Sequence, residues 1–379
     1  MPADADLKRT PLWALHAELG ARMAPFAGWE MPLRYGSAVA EHAATRDSAG
    51  LFDVGHMGVV DIAGDGAAAW LESLVPAGVA GLGAGEMAYT MLTTPDGGIV
   101  DDLVVSNLGD RLRVVLNAGR VDVDLAHLRA AAVGDVDVAH RADLATLALQ
   151  GPAAAGVLTS LGADAAGTAF MHARSVALAG VPCDLSRSGY TGEDGFELIV
   201  AGDDAETVAR ALLADAAVSP VGLAARDSLR LEAGLCLYGS DLDETTTPVE
   251  AGLRWSIPKR RRGADAGYPG AAVIARQIAD GPQRRRVGIA AAGRRPIRAG
   301  ATLHAPDDAG DAGSAAADGE PVGHVTSGGF GPTAGRPVAM GYVRAEHASP
   351  GTKLVAAERG RREPCEVARL PFVPHRYRR

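Results

Sequence analysis

Two adjacent aspartates, Asp101 and Asp102, lie inside a run of apolar residues, and this pair constrains the fold more than any other feature of the chain. The run follows the turn sequence of residues 95–98, and strand-like stretches lie on either side of it, at residues 86–93 and 111–117. We predict a three-stranded antiparallel meander with the acids in its central strand. Side chains alternate between the two faces of a strand, so we expect one of the two acids to face the interior. An unpaired carboxylate is costly there unless it meets a cation or lines a cavity.

The composition indicates a soluble globular protein of two or three domains. The chain has 379 residues, of which 47% are hydrophobic, and it contains no uninterrupted apolar run of the length that spans a bilayer. Its net charge of −9 argues against general nucleic-acid binding. The acidic start, residues 1–6, resembles neither a secretory signal nor a transit peptide, so we expect a cytoplasmic protein.

Neither the cysteines nor the histidines indicate a metal site. The three cysteines are far apart and form no CxxC pair, which argues against a thiolate zinc site and against structural disulfides. His42 and His56 have no neighbouring ligand at metal-binding spacing. We therefore predict no bound metal.

The order of the expected elements predicts an α+β fold. Amphipathic helices, such as the one expected over residues 120–133 with Val121, Leu125 and Leu128 on its buried face, alternate with antiparallel hairpins rather than with single strands. We expect residues 51–60 to enter a strand. After residue 283 about five short strands follow without helices, which indicates a small β-barrel or sandwich. We therefore predict a boundary between residues 1–282 and a C-terminal domain of residues 283–379, in which residues 307–320 form a surface insertion.

A second informative stretch is the loop at residues 186–200, which holds three glycines, three acids and Tyr190 within a few positions. So many glycines predict that the backbone passes close to something. The stretch lacks the GxxxxGK[ST] pattern of a phosphate loop, and its acids would repel an anion, so a cationic or amine-rich ligand fits better. Glu197 repeats the pattern of Asp102, an acid set in an apolar strand.

Two further charged features have a structural and a functional interpretation. Asp227 and Arg230 are spaced to share a helix face, so they form either an exposed surface pair of little energetic value or part of a site that includes Arg226. The basic runs at residues 259–262 and 284–286 are either solvated loops or a docking patch for an acidic partner.

Taken together, seven motifs resemble the aminomethyltransferases, the T-proteins of the glycine cleavage system. They occur in the order of that family and extend over nearly the whole chain, at residues 28–32, 51–58, 97–102, 188–197, 225–234, 339–343 and 371–374. The resemblance implies a three-domain cloverleaf of the folate-binding aminomethyltransferase type, with tetrahydrofolate as co-substrate and the lipoylated H-protein as partner. It also implies transfer of the aminomethyl carbon from the lipoyl arm to tetrahydrofolate, which gives 5,10-methylenetetrahydrofolate and ammonia.

The resemblance also implies roles for individual residues. Asp102 matches the functional aspartate of the family. Seven residues match its folate-contacting or pocket-lining positions: Met57, Tyr89, Asn117, Tyr190, Glu197, Arg226 and Tyr377. Arg226 could bind the glutamate carboxylate of folate or hold Glu197 in place.

The alternative is a non-catalytic folate-binding protein of the same superfamily. The iron–sulfur assembly factors of that superfamily carry a Lys-Gly-Cys-Tyr motif, which is missing from this sequence. The folate domains of sarcosine and dimethylglycine dehydrogenases follow a flavin domain with a GxGxxG turn, and this sequence has no such fingerprint. The sequence therefore favours the enzyme.

Overall fold

A computed structural model describes residues 7–306 and 320–378. The helices are α1 (Trp13–Glu18), α2 (Ala38–Asp47), α3 (Ala67–Glu72), α4 (Val121–Ala131), α5 (Ala154–Ser160), α6 (Ala205–Leu213), α7 (Leu223–Glu232) and α8 (Ala271–Asp280). The strands up to the last helix are β1 (Arg22–Phe26), β2 (Trp29–Arg34), β3 (Ala49–Asp53), β4 (Gly58–Ala63), β5 (Met87–Thr93), β6 (Ile99–Asn107), β7 (Leu112–Leu116), β8 (Asp137–His140), β9 (Leu144–Gln150), β10 (Ala173–Leu178), β11 (Val181–Ser186), β12 (Gly195–Ala201) and β13 (Val218–Pro220). The strands that follow are β14 (Arg284–Ala291), β15 (Thr302–His304), β16 (Gly323–Gly331), β17 (Arg336–Arg344), β18 (Lys353–Glu358) and β19 (Arg361–Ala368).

By their contacts, the residues group into two compact units. Of the described residues, 7–91, 101–227 and 376–378 belong to one unit, and 92–100, 228–306 and 320–375 belong to the other. No helix among the described residues is long and apolar enough to cross a membrane. The domain boundary at residue 283 stays a prediction.

The first unit contains a five-stranded sheet in the order β5-β6-β7-β4-β8. Its strands β5, β6 and β7 are the meander predicted from the sequence, with the two aspartates on the middle strand. Leu103 and Val105 on one face of β6 are fully buried, whereas Val104 on the other face is only partly buried. This pattern distinguishes a packed face from a face that borders open space.

A second sheet of the same unit has the order β10-β11-β12-β9-β3-β13, with β13 pairing in parallel to β3. Phe196, Leu198 and Val200 alternate along β12 and pack into a core together with side chains of α1, α5 and α6. Glu197 and Ile199 point to the opposite face, because side chains alternate along a strand. The sheet therefore has one face in a hydrophobic core and one face that carries Glu197.

Residues 51–60 belong to two strands of different sheets, β3 and β4, which a turn separates. Asp53 at the end of β3 folds back, and its carboxylate accepts a hydrogen bond of 2.8 Å from the backbone N–H of Gly55. Such a local bond favours a turn over a continued strand. The sequence pattern alone does not show this interruption.

In the second unit, β14 to β19 close into a barrel in the order β14-β17-β16-β15-β18-β19. Its interior is filled by aliphatic side chains that include Ile289, Leu303 and Val343. The sequence left open whether these strands form a barrel or a sandwich, and the barrel is confirmed. One strand of the barrel, β18, was not predicted. Most of the predicted insertion at residues 307–320 lies outside the described residues. The α+β class with a C-terminal barrel is confirmed.

Candidate functional site

A cavity lies between the two sheets of the first unit. The five-stranded sheet contributes Val104, Ser106 and Val115 to its lining, and the six-stranded sheet contributes Thr146, Glu197 and Ile199. Asp102 lies two residues before Val104, so alternation along β6 places it on the face that borders this space. Both acids that the sequence analysis selected, Asp102 and Glu197, therefore lie on sheet faces that border the same inter-sheet space.

Asp102 is held by two of the other predicted site residues. The Tyr89 hydroxyl donates a hydrogen bond of 2.9 Å to Oδ2 of Asp102. The side-chain amide of Asn117, just past the end of β7, donates to Oδ1 of Asp102 at 2.8 Å. These donors come from the two strands that flank β6, which explains how the meander fixes the position of the carboxylate.

Asp101 lies on the opposite face, but it is not exposed. The expectation that only one acid of the pair would lie in the interior is therefore wrong: Asp101 is 0% exposed, and Asp102 is the half-buried one. The backbone N–H and the side-chain amide of Asn117 donate to Asp101 at 3.0 and 2.9 Å. Asp124 of helix α4 is also 0% exposed, and burial, followed by the negative charge of Asp101, raises the pKa of Asp124 to about 9.

The pKa of Asp102 lies close to neutral pH. Burial, and next the negative charge of Asp101, raise the pKa of Asp102 to about 7, and the hydrogen bonds from Tyr89 and Asn117 only partly oppose them. A carboxyl with such a pKa exchanges protons at physiological pH, as a general acid or base must. Perturbed carboxyls of this kind concentrate at functional sites.

Glu197 is the acid of the facing sheet. The Ser188 hydroxyl donates a hydrogen bond of 2.8 Å to Oε2 of Glu197. Burial raises the pKa of Glu197, while the bond from Ser188 and the charge of Arg226 act in the opposite direction. A carboxylate presents only acceptor atoms, so Glu197 suits a ligand that offers N–H groups.

The glycines of the loop at residues 188–195 make room for a side chain of the protein itself. A Cβ added at Gly189 would lie 1.9 Å from Oε1 of Gln150, and one at Gly195 would lie 2.6 Å from its Nε2. Gln150 is 1% exposed, donates to the carbonyl of Ser188 at 2.9 Å and accepts from the Thr191 hydroxyl at 2.8 Å. The close approach that the glycines predicted is therefore to Gln150.

Two acids of this loop bind arginines of the same unit. Arg46 donates to Glu193 at 2.9 Å, and Arg187 contacts Asp194 through two nitrogens at 2.9 and 2.5 Å. Both arginines are almost fully buried. The cationic ligand that we expected at this loop is, for these two acids, supplied by the chain itself, and Glu197 is the acid of this stretch that borders the cavity.

Arg226 contacts the loop at residues 188–195 through Tyr190, and the C-terminal segment that carries Tyr377 is hydrogen-bonded to the same loop. The Arg226 guanidinium lies 4.5 Å from the ring centroid of Tyr190, a cation–π contact. The C-terminal segment binds the loop through the backbone N–H of Arg376, which donates to the carbonyl of Gly192 at 2.8 Å. Tyr377 stacks on Phe170 with ring centroids 4.7 Å apart and planes 18° from parallel.

Met57 is half-buried in the turn between β3 and β4, next to the buried His56. Burial, together with the positive charge of Arg226, lowers the pKa of His56 to about 3, so this imidazole is neutral at physiological pH. The positive charge of Arg226 thus acts both on His56, the neighbour of Met57, and on Glu197, and the same guanidinium contacts Tyr190.

In the second unit, Arg230 and the basic run at residues 259–262 are partly structural. Arg230 is 3% exposed and pairs with Asp241 at 2.7 Å, so the interpretation as an exposed surface pair is wrong. Arg261 is buried with its guanidinium 5.3 Å from the Tyr268 ring, and only Lys259 and Arg260 of the run are exposed. Of the second run, Arg284 pairs with Glu250 and Arg286 donates to two backbone carbonyls.

Comparison with known proteins assigns both parts of the chain. Residues 12–261 match the family described as the GCVT N-terminal domain, and residues 284–374 match the glycine cleavage T-protein C-terminal barrel domain. These two domains together define the class of the glycine cleavage T-proteins.

The similar proteins agree with this assignment over the full length. The mitochondrial aminomethyltransferase of Gallus gallus is 46% identical over 99% of this chain and 95% of its own length, and that of Pisum sativum is 42% identical over 99% and 91%. A crystal structure of the glycine cleavage system aminomethyltransferase T from Bartonella henselae superposes with a TM-score of 0.91 at 41% identity, covering 99% of this chain and all of that one. The chain belongs to the aminomethyltransferase family of glycine cleavage T-proteins.

Sequence reasoning missed three polar residues around the site: Asp124, Gln150 and Ser188. One signal for Asp124 was present, because it lies three residues after Val121 and four before Leu128, on the helix face predicted to be buried. A polar residue at an apolar position of a helix is informative in this way. Ser188 and Gln150 carry no comparable signal, because their roles depend on which strands pair.

Proposed function

We infer that the protein is the aminomethyltransferase of a glycine cleavage system. The observation that carries this function is Asp102, a carboxyl with a pKa near neutrality, fixed by Tyr89 and Asn117 on the sheet face that borders the inter-sheet cavity. The co-substrate that we propose is tetrahydrofolate, and the proposed donor is the aminomethyl-lipoyl arm of the H-protein.

The chemistry of the donor explains why a carboxylate is needed. The aminomethyl group on a lipoyl sulfur is an N,S-acetal, and breaking its bond leaves positive charge on the transferred carbon. A fixed carboxylate in a site from which water is excluded stabilises that charge strongly. The ionised Asp102 can do this and can also accept a proton from the attacking nitrogen, which is a general-base role.

The residues present fit a folate. Glu197 offers acceptor oxygens for the amino and ring N–H groups of a pterin, with Ser188 fixing its orientation. Tyr190 and Tyr377 offer aromatic faces, and Met57 an adaptable apolar side chain. Tetrahydrofolate would supply the nitrogen nucleophile of the transfer, and the released products would be 5,10-methylenetetrahydrofolate, ammonia and the reduced lipoyl protein.

The charge of Arg226 acts on Glu197, and its guanidinium stacks on Tyr190. The charge effect on Glu197 and the contact with Tyr190 favour the role in which Arg226 supports Glu197. We propose that Arg226 acts in this way before folate binds.

A two-stage experiment tests the proposal. Tetrahydrofolate is titrated into the purified protein, and loaded H-protein is then added in a stopped assay for methylenetetrahydrofolate. We expect saturable binding followed by transfer. Binding without transfer would instead establish the non-catalytic alternative, and an absence of binding would overturn both. The cytoplasmic location stays a proposal, which cell fractionation can test.

A further inference from the structure

The cavity between the two sheets of the first unit extends past Glu197, as the strand registers show. Thr146 of β9 lies directly opposite Ile199 of β12, and Ile199 lies opposite Asp184 of β11, so these three residues form one row across the six-stranded sheet. Glu197 lies two residues before Ile199, on the same face. All four residues line the cavity. The row that contains Thr146 is called the inner end of the cavity below.

The five-stranded sheet faces the inner end with Ser106 and Arg113, which lie opposite each other on β6 and β7. The Arg113 guanidinium donates to Asp184 across the space between the sheets. Its other nitrogens donate to Asp61 at 2.7 and 2.9 Å. Asp184 also accepts a hydrogen bond of 2.6 Å from the Ser175 hydroxyl. The charged groups at the inner end are therefore bound to other side chains of the protein.

The hydroxyl of Thr146 differs from these charged groups, because it has no partner. Thr146 is 3% exposed, and its Oγ1 is buried without a hydrogen bond to any described residue. A valine would fill the same space without burying an unpaired hydroxyl, which is unfavourable. An unpaired polar group on the wall of a cavity finds its partner in a ligand or an ordered water. The inner end therefore offers a hydrogen-bond donor to whatever fills the cavity.

A pterin carries groups that match Glu197 and Thr146 along a single edge. The 2-amino group and the ring N3–H are donors, and the carbonyl oxygen at C4, next to N3, is an acceptor. Glu197 presents acceptor atoms to the two donors, and the Thr146 hydroxyl can donate to the carbonyl oxygen. The two residues are diagonal neighbours on paired strands, a spacing of about 7 to 8 Å, so both side chains can contact one edge of a bicyclic ring.

We propose that Thr146 is a specificity-determining residue of the folate site, whose hydroxyl donates a hydrogen bond to the C4 carbonyl oxygen of the pterin. The proposal rests on the function proposed above, which puts the N–H groups of the pterin at Glu197. The hydroxyl is unpaired in the free chain because its acceptor arrives with the ligand. Glu197 and Thr146 together select a ring that carries the C4 oxygen over one that lacks it.

Two substitutions at Thr146 separate the hydroxyl from the shape of the side chain. Thr146→Val keeps the size and the branching without the hydroxyl, and Thr146→Ser keeps the hydroxyl. The dissociation constant of tetrahydrofolate is measured by calorimetric titration of the intact chain. We expect it to rise about fivefold or more in Thr146→Val and to stay within about twofold of the wild-type value in Thr146→Ser.

Two controls exclude a general disturbance of the protein. The free energy of unfolding of Thr146→Val without folate should not fall, because the hydroxyl makes no hydrogen bond in the free chain. Thr159→Val removes an exposed hydroxyl that donates to the carbonyl of Ala155 at 2.8 Å, and it should leave the dissociation constant unchanged.

An analogue of tetrahydrofolate with hydrogen in place of the C4 oxygen tests the contact itself. The analogue also lacks the N3–H that Glu197 accepts, but this loss is common to both proteins and cancels in a double-mutant cycle. We expect Thr146→Val to bind the analogue as tightly as the wild type does. If Thr146→Val binds tetrahydrofolate with unchanged affinity, or binds both ligands equally more weakly, the contact is absent and the proposal is wrong.

The same titrations keep this proposal separate from the proposed function. If the wild-type chain does not bind tetrahydrofolate, the proposed function is wrong, and the role of Thr146 is wrong with it. If the wild type and Thr146→Val bind tetrahydrofolate equally well, the folate site is correct and only the role of Thr146 is wrong.

Discussion

Gly189→Ala should destabilise the protein by about 2 to 4 kcal/mol. The added Cβ would lie 1.9 Å from Oε1 of Gln150 and 2.4 Å from its Cδ, which is far inside contact distance. Gln150 cannot move aside cheaply, because it is 1% exposed and its amide holds Ser188 and Thr191 through bonds of 2.9 and 2.8 Å. Overpacking costs about 1 to 3 kcal/mol and the loss of one of these two hydrogen bonds about 0.5 to 1.5 kcal/mol, which together give the range expected here.

Urea denaturation measures the effect, and Gly156→Ala is the matched control. Gly156 lies in α5 with no atom near its missing Cβ, so alanine there should raise the free energy of unfolding by about 0.5 to 1 kcal/mol. The cause can be isolated in the Gln150→Ala background, where Gly189→Ala should cost clearly less. If Gly189→Ala costs under about 0.5 kcal/mol, or costs the same in both backgrounds, the contact with Gln150 does not explain this glycine.

Three further predictions concern the pH dependence of transfer, the pH dependence of unfolding and the binding of the partner protein. The pKa of Asp102 is raised to about 7 in the folded protein, so the ionised base is lost as the pH falls through 7, and kcat/KM for transfer should fall there; an acid limb near pH 4 would contradict this. Because the pKa of Asp102 is raised in the folded state, its protonated form stabilises the fold fully below about pH 4, the usual pKa of an aspartate in an unfolded chain, and this contribution is lost as the pH rises from there to about 7. Asp102→Asn should therefore flatten the pH dependence of the free energy of unfolding between these two pH values. Reversing the exposed charges with Lys259→Glu and Arg260→Glu should raise KM for H-protein but not for tetrahydrofolate, with Arg298→Glu, another exposed arginine, as the control; an unchanged KM at low salt identifies the run as a solvated loop.

Local patterns were sufficient to predict the meander and a C-terminal domain of short strands, left open between a barrel and a sandwich. The glycine turn and the alternating residues around Asp102 depend on period and turn chemistry, which neighbouring residues determine. The break between β3 and β4 was missed because the carboxylate of Asp53 bends the chain inside an otherwise apolar stretch. In the barrel, the strand β18 was missed because its residues, with Lys353 and Glu358 at its ends, lack a clear hydrophobic run.

The candidate site could be predicted only as separate residues. The motifs selected Asp102 and Glu197, but the sequence cannot show that they lie on sheet faces bordering one space, because the pairing of distant strands decides this. The same holds for the acids of the loop. Glu193 and Asp194 suggested an external cation, and their partners are Arg46 and Arg187, of which Arg46 lies 147 residues away in the chain.

The most direct test of the account is the single-turnover transfer rate of Asp102→Asn with loaded H-protein, measured beside its affinity for tetrahydrofolate. Asparagine keeps the size of the side chain and can still contact Tyr89 and Asn117, but it has no charge and accepts no proton. We expect the affinity to change little and the transfer rate to fall by about a hundredfold or more, the usual loss when a general base is removed. A variant that keeps a transfer rate near the wild-type value would contradict the central role of Asp102.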